Sequence, residues 1–123
     1  MSQQSCFSSQ PAGHQAQVLM LDGDFDRSKA AQFEQALEDA LQAGGSQVIV
    51  DLRGVSFLDP AMLGALARGF CDAAARGDQV AVIRPNPVVW RAFVLTGLSH
   101  KFAAFGRLDD ALASYGASSS SRR

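Results

Sequence analysis

The sequence predicts a single α/β domain, and three observations carry that prediction. Compact apolar runs alternate with segments of helical period. Each run gives way to a Gly, Asp or Pro, and 123 residues suffice for one continuous core but hardly for two. Apolar residues make up 47% and charged residues 19% of the chain, the balance of a globular protein rather than a disordered or fibrous one.

The elements follow in order. Residues 1–16 are polar and Ser/Gln-rich; Pro11 and Gly13 signal a turn, and "CFSS" offers a short edge strand. "QVLMLDG", Gln17 to Gly23, reads as a strand. From Asp26 the period changes, because Ala30, Phe33, Leu37, Ala40 and Leu41 recur at helical spacing until Gly44 and Gly45. That is an amphipathic helix of about four turns. "QVIVDL", Gln47 to Leu52, stays apolar up to Asp51, as a strand buried on both faces does, and "RGVSF" reads as a loop.

Asp59 and Pro60 then open a second helix. Leu63, Leu66, Ala67, Phe70 and Ala74 trace one face of it, Arg68, Asp72 and Arg76 the opposite face, and Gly77 closes it. "QVAVI", Gln79 to Ile83, is a third buried strand, and "RPNP" turns into the helix "VVWRAFVLTG", ended by Gly97. "KFAAFG" supplies a last short strand, "RLDDALASY" a terminal helical turn or two. The domain therefore spans 17–115, with 116–123 as a disordered Ser/Arg tail. Parallel strands joined by right-handed crossovers are the expected topology.

Much chemistry is excluded. A net charge of −1 without long charge blocks gives nothing that steers the chain toward nucleic acid. The N-terminal "MSQQSCFSSQ" lacks the basic and apolar regions of a secretory signal, and no run approaches the ~20 apolar residues of a membrane span. A cytoplasmic location without direct membrane insertion is the expectation. Cys6 and Cys71 stand in neither metal-like nor redox-like spacing, His14 and His100 have no companions to complete a ligand set, and Cys71 reads as a small buried hydrophobe. No metal site and no cofactor is expected.

"LDGDFD" alternates Asp22, Asp24 and Asp26 like the start of a calcium loop. That template needs Gly at its sixth position and Glu at its twelfth, where this chain has Arg27 and Phe33. Asp26 or Ser28 capping a helix accounts for the segment. Phosphate-binding Gly motifs and the nucleophile elbow are missing, and no His stands near a plausible nucleophile, so an enzyme is not expected.

The strand "VIVDL", the segment "RGVSF", the turn "LDPAMLG" and the helix "PNPVVWRAFVLTGL" resemble, in order and spacing, a STAS domain of the bacterial anti-sigma-factor antagonist type. "LDGDFD" stands where that family carries an acidic element, and "RLDDAL" where it has its final helix. The resemblance covers roughly Gln17 to Ala113. It implies a mixed four- or five-stranded sheet with helices mainly on one side. It also implies a non-enzymatic regulator that binds an anti-sigma factor or related kinase-like partner.

In the family the turn usually reads D-S-[S/T]-G-L-G, and its first Ser is phosphorylated by the partner, which dissolves the complex by placing charge at a docking helix N-terminus. By this resemblance Asp26 and Asp59 match the family's two acidic positions, and Leu63 and Gly64 match "LG". Pro60 occupies the phosphoacceptor position, Ala61 the next, and Met62 replaces a Gly. Neither Pro60 nor Ala61 has a hydroxyl to phosphorylate. The resemblance thus implies a partner surface at Asp26 and at Asp59 to Gly64. A second implied function is a STAS subunit of a lipid-transport ATPase complex or a signalling scaffold, where members often lack the phosphoacceptor.

Each of these residues also has a plain structural reading. Asp59 and Pro60 are a good N-cap and first helical residue, and Asn86 with Pro87 repeats the device. Met62 lies beside Ala65, Gly69 and Ala73, a strip of small residues that serves either a partner or a neighbouring helix of the same domain. Trp90 and Val94, one turn apart where the family usually has charges, form either a secondary contact or a fold-back over the sheet edge. Ser28, Ser56 and Ser118 to Ser121 are other hydroxyls open to modification, and homodimerisation stays open.

Overall fold

The computed structural model describes residues 6–12, 16–43, 47–100 and 103–120. Gly13, His14, Gly44, Gly45, Lys101 and Phe102 therefore lie outside the described residues, as do 1–5 and 121–123. Five strands form one sheet in chain order: β1 (Cys6–Ala12), β2 (Ala16–Phe25), β3 (Gln47–Leu58), β4 (Gln79–Ile83) and β5 (Ala103–Phe105). β1 pairs antiparallel with β2, and all other neighbours are parallel, so the sheet is mixed. Helices α1 (Ala30–Ala43), α2 (Pro60–Ala75) and α3 (Pro87–Leu95) are the crossovers, and α4 (Leu108–Ser120) ends the described chain.

Consecutive crossovers of one hand, stepping across the sheet in one direction, lie on one face. Accordingly the main core joins Leu19, Leu21 and Phe25 of β2 and Val48, Val50 and Leu52 of β3 to Phe33 and Leu37 of α1, Leu66 and Phe70 of α2, and Phe93 of α3. On the other face of the sheet, Val18 of β2, Ile49 of β3 and Ala81 and Ile83 of β4 meet Ala111 of α4 in a smaller cluster. β3 alternates between the two clusters, which explains its unbroken apolar run. Edge-on aromatic pairs, Phe7 with Phe25 at 5.2 Å and Phe33 with Phe70 at 6.3 Å, fill the main core.

Three expectations change. "RGVSF" is strand, because β2 continues to Phe25 and gives β3 a partner as far as Leu58, with register shifts at Met20/Asp22 and Gly23/Asp24. A Cβ at Gly54 would overlap the Asp22 carboxylate as it now sits, so glycine lets that side chain lie across the strand. Cys71 is exposed rather than buried, being one helical step beyond the buried Phe70 and so turned off the core face. The terminal helix continues through Ser120, past the turn or two expected and into the segment read as a tail; serines and one glycine weaken a helix without breaking it as proline does.

Asp51 is the buried carboxylate of β3. Arg53 grips it with Nε at 3.0 Å from Oδ1 and Nη2 at 2.8 Å from Oδ2. This two-point pairing with Asp51 raises the Arg53 guanidinium above its ordinary value.

The α1–α2 contact yields a prediction. A Cβ built on Gly69 stands 2.9 Å from Leu37 Cδ2 and 3.3 Å from Phe33 Cε2, whereas one on Gly64 meets only Arg68 Nη1 at 3.7 Å. Gly64→Ala should therefore stabilise the chain by about 0.5–1 kcal/mol through helix propensity. Gly69→Val should destabilise it by about 1–3 kcal/mol through overpacking. Urea unfolding of the two variants reads the opposite signs.

Candidate functional site

The starts of α1, α2 and α3 lie at the C-terminal ends of β2, β3 and β4, and there the sequence-predicted residues meet. Asp59 follows β3 in extended conformation (φ −84°, ψ 167°). Its N–H donates to the Phe25 carbonyl at 3.1 Å, which fixes it to the end of β2. Its carboxylate then accepts twice: Oδ1 from the Met62 N–H at 2.8 Å and Oδ2 from the Arg27 N–H at 3.2 Å. The first bond caps α2. The second reaches the 3-10 turn Arg27–Lys29 that leads into α1.

Asp26 caps that turn. Its Oδ1 accepts from the Ser28 N–H at 3.0 Å and from the Ser28 hydroxyl at 2.5 Å. These bonds, the hydroxyl's first, hold the Asp26 carboxyl below its ordinary value of 3.8. Asp26 and Asp59 are thus brought together by backbone, with Arg27 between them.

Pro60 and Ala61 are exposed and Gly64 is half-buried, so these three present surface. Met62 and Leu63 do not: they are 0% and 5% exposed and belong to the main core. Within the strip of Ala65, Gly69 and Ala73, Gly69 receives Leu37 and Phe33 of α1, and the Met62 side chain is enclosed by the domain itself and is not at the surface. An α-helix laid on a sheet turns its apolar stripe inward, and position 62 falls within that stripe.

Trp90 and Val94 do not form a joint patch. Trp90 stacks on Phe93 at 5.2 Å and packs half-buried against the main core, with the Arg84 guanidinium 6.0 Å from its ring centre. Val94 is 51% exposed. Trp90 is thus half-buried against its own helix neighbour Phe93, because a large flat ring gains more by covering Phe93 than by facing water.

Phe57 was missed by sequence reasoning. It is 50% exposed, pairs in register with Asp24 and lies two residues before Asp59. The signal was an aromatic directly ahead of the "LDP" hinge, obscured because "RGVSF" read as a loop. Among the described residues, no three or more His, Cys, Asp or Glu converge to hold a metal ion, and no helix is long and apolar enough to cross a membrane.

Two predictions follow from the caps. Asp59→Ala should cost about 1–2 kcal/mol in urea unfolding, and Asp59→Asn less, since the amide oxygen still caps Met62. For Asp26, a carboxyl lowered by folding adds stability that is present above its unfolded value and lost as pH falls through its folded value. Ser28→Ala removes the largest cause. An NMR titration of the Asp26 carboxyl should then move upward toward 3.8.

Comparison with known proteins bears on the family and the fold. A family model described as "Mlab, STAS domain" matches residues 8–109. No curated protein shows a significant match to the chain. Among solved structures, an anti-sigma factor antagonist from Mycobacterium paratuberculosis is 26% identical, with 92% of this chain and 93% of that chain covered and a TM-score of 0.75. A putative anti-sigma factor antagonist from Thermotoga maritima is 21% identical over 88% of this chain and 92% of its own, with a TM-score of 0.78. The Bacillus antagonist SpoIIAA in its unphosphorylated form is 18% identical over 91% of this chain and 97% of its own, with a TM-score of 0.75. The last two likenesses are of fold alone. With the family model spanning well over half of its length and the mixed five-stranded sheet of the antagonists in place, this chain belongs to the STAS domain family.

Proposed function

We propose that this chain is a non-enzymatic cytoplasmic regulator of the anti-sigma-factor-antagonist kind, which binds an anti-sigma factor or related kinase-like partner and is not phosphorylated at the family's usual serine position. The partner surface comprises Asp26, Asp59, Pro60, Ala61 and Gly64, with Phe57 added and the buried Met62 and Leu63 supporting it from below. One observation carries the reading: an exposed Pro60 at the first position of α2, where the family resemblance puts the phosphoacceptor. A residue with no hydroxyl leaves the docking helix without the charge that would break a complex. Binding is then constitutive or governed elsewhere.

A second reading, a STAS subunit of a lipid-transport ATPase complex or a signalling scaffold, is favoured by the same missing hydroxyl. The matching family model also carries the Mlab description rather than an antagonist's. Transporter genes beside this one would select that reading; sigma-factor or kinase genes would select the first.

The test uses candidate partners encoded in the same genome. Wild type should retain the anti-sigma factor or kinase on a column, and Ala61→Arg, on the exposed first turn of α2, should release it. Equal retention removes this surface. Incubated with that kinase and ATP, wild type should gain no phosphate by intact mass while Pro60→Ser gains one. A Pro60→Ser variant that gains no phosphate contradicts the reading.

A further inference from the structure

Four large hydrophobic residues are exposed among the described residues: Phe57, Val88, Val94 and Leu95. Three of them lie on α3, a helix of nine residues. Val88 is 81% and Leu95 74% exposed, and they stand seven residues apart, about 10 Å along one helix face. Arg91 lies between them at i+3 from Val88 and is exposed. It forms no ion pair among the described residues, unlike Arg53, Arg68, Arg76 and Arg107.

The other crossover helices are built differently. α1 turns Gln32, Glu34, Gln35, Glu38 and Asp39 outward, and α2 turns out Arg68 and Asp72, with the exposed Arg76 as its C-cap. Those are the solvated faces expected of surface helices. The outer face of α3 sets three exposed aliphatic side chains around Arg91, and exposed apolar surface grouped in this way marks an interaction site.

We infer that the outer face of α3, made by Val88, Arg91, Val94 and Leu95, is a second docking surface, and that its occupant is an amphipathic protein helix carrying an aliphatic stripe interrupted by a carboxylate. Two turns of α3 fit two turns of such a helix, ridge into groove. The carboxylate would take Arg91 in a paired hydrogen-bonded contact that neither partner satisfies alone. A second copy of this chain is a poor occupant, since a two-fold axis through the patch brings Arg91 against Arg91. A membrane surface is a poor one too, because nine residues with one cation make a weak interfacial anchor. The surface does not depend on the one around Pro60.

The test is fluorescence anisotropy of the full chain with three synthetic helical peptides. Each carries leucines along one face, with Glu, Gln or Lys midway. The Glu peptide should bind saturably and about tenfold more tightly than the Lys peptide. Arg91→Glu should reverse that order, Leu95→Lys should abolish binding of all three, and Ala61→Arg should leave it unchanged. All three sites are exposed, and circular dichroism verifies that the variants fold. The inference is overturned by no saturable binding, by an order that Arg91→Glu leaves intact, or by loss of binding in Ala61→Arg. It is equally overturned by a dimer in light scattering, or by sedimentation with phosphatidylglycerol vesicles, that Leu95→Lys removes.

Discussion

The arrangement of this domain hangs on the Asp59 carboxylate. Helix starts leave N–H groups without intrahelical partners, and those groups must be satisfied where the helices meet the sheet. One carboxylate serves two of them, Met62 at the start of α2 and Arg27 in the turn before α1, while the Asp59 N–H is held by the end of β2. Two strands and two helices are thereby joined at a single residue. Pro60 is left at the surface, and Met62 is driven beneath it into the core.

α3 repeats the device with the complementary chemistry. The Asn86 side chain accepts from the Val89 N–H at 2.9 Å and donates through Nδ2 to the Val55 carbonyl at 3.3 Å. Beside Arg27 a second acceptor is required, and a carboxylate supplies it; beside Val55 a donor is required, and only the amide supplies one. The two caps are alike in sequence role and not interchangeable in structure. Both α2 and α3 are docked by a cap whose second polar atom reaches a different segment of chain, so the edge of the sheet that carries the candidate site is held from more than one direction. A surface held in this way is ordered before anything meets it.

Most elements were legible in the sequence because their signals are local. Helical spacing from Ala30 to Leu41, the apolar run at Val48–Val50 and the Asp-Pro and Asn-Pro caps each specify their element without reference to the rest of the chain. The segment "RGVSF" was illegible for the opposite reason. Its polar residues suit a loop, and it is strand only because β2 lies alongside it, two register shifts included. The candidate residues divide in the same way: Asp26, Asp59, Pro60, Ala61 and Gly64 are named by motif and capping chemistry, whereas the burial of Met62 and the exposure of Phe57 depend on neighbours distant in sequence.

What the sequence by itself determined is therefore the class of fold, the order of its elements and the identity of residue 60 as one that carries no hydroxyl. These are properties of hydrophobic period, capping and covalent structure, which a chain possesses before it folds. Tertiary structure alone decided which side of each helix faces water. It buried Met62 and Leu63, turned Trp90 onto Phe93, and left Val88, Val94 and Leu95 exposed around Arg91. Burial depends on which surfaces meet, and the surfaces that meet here come from segments far apart along the chain.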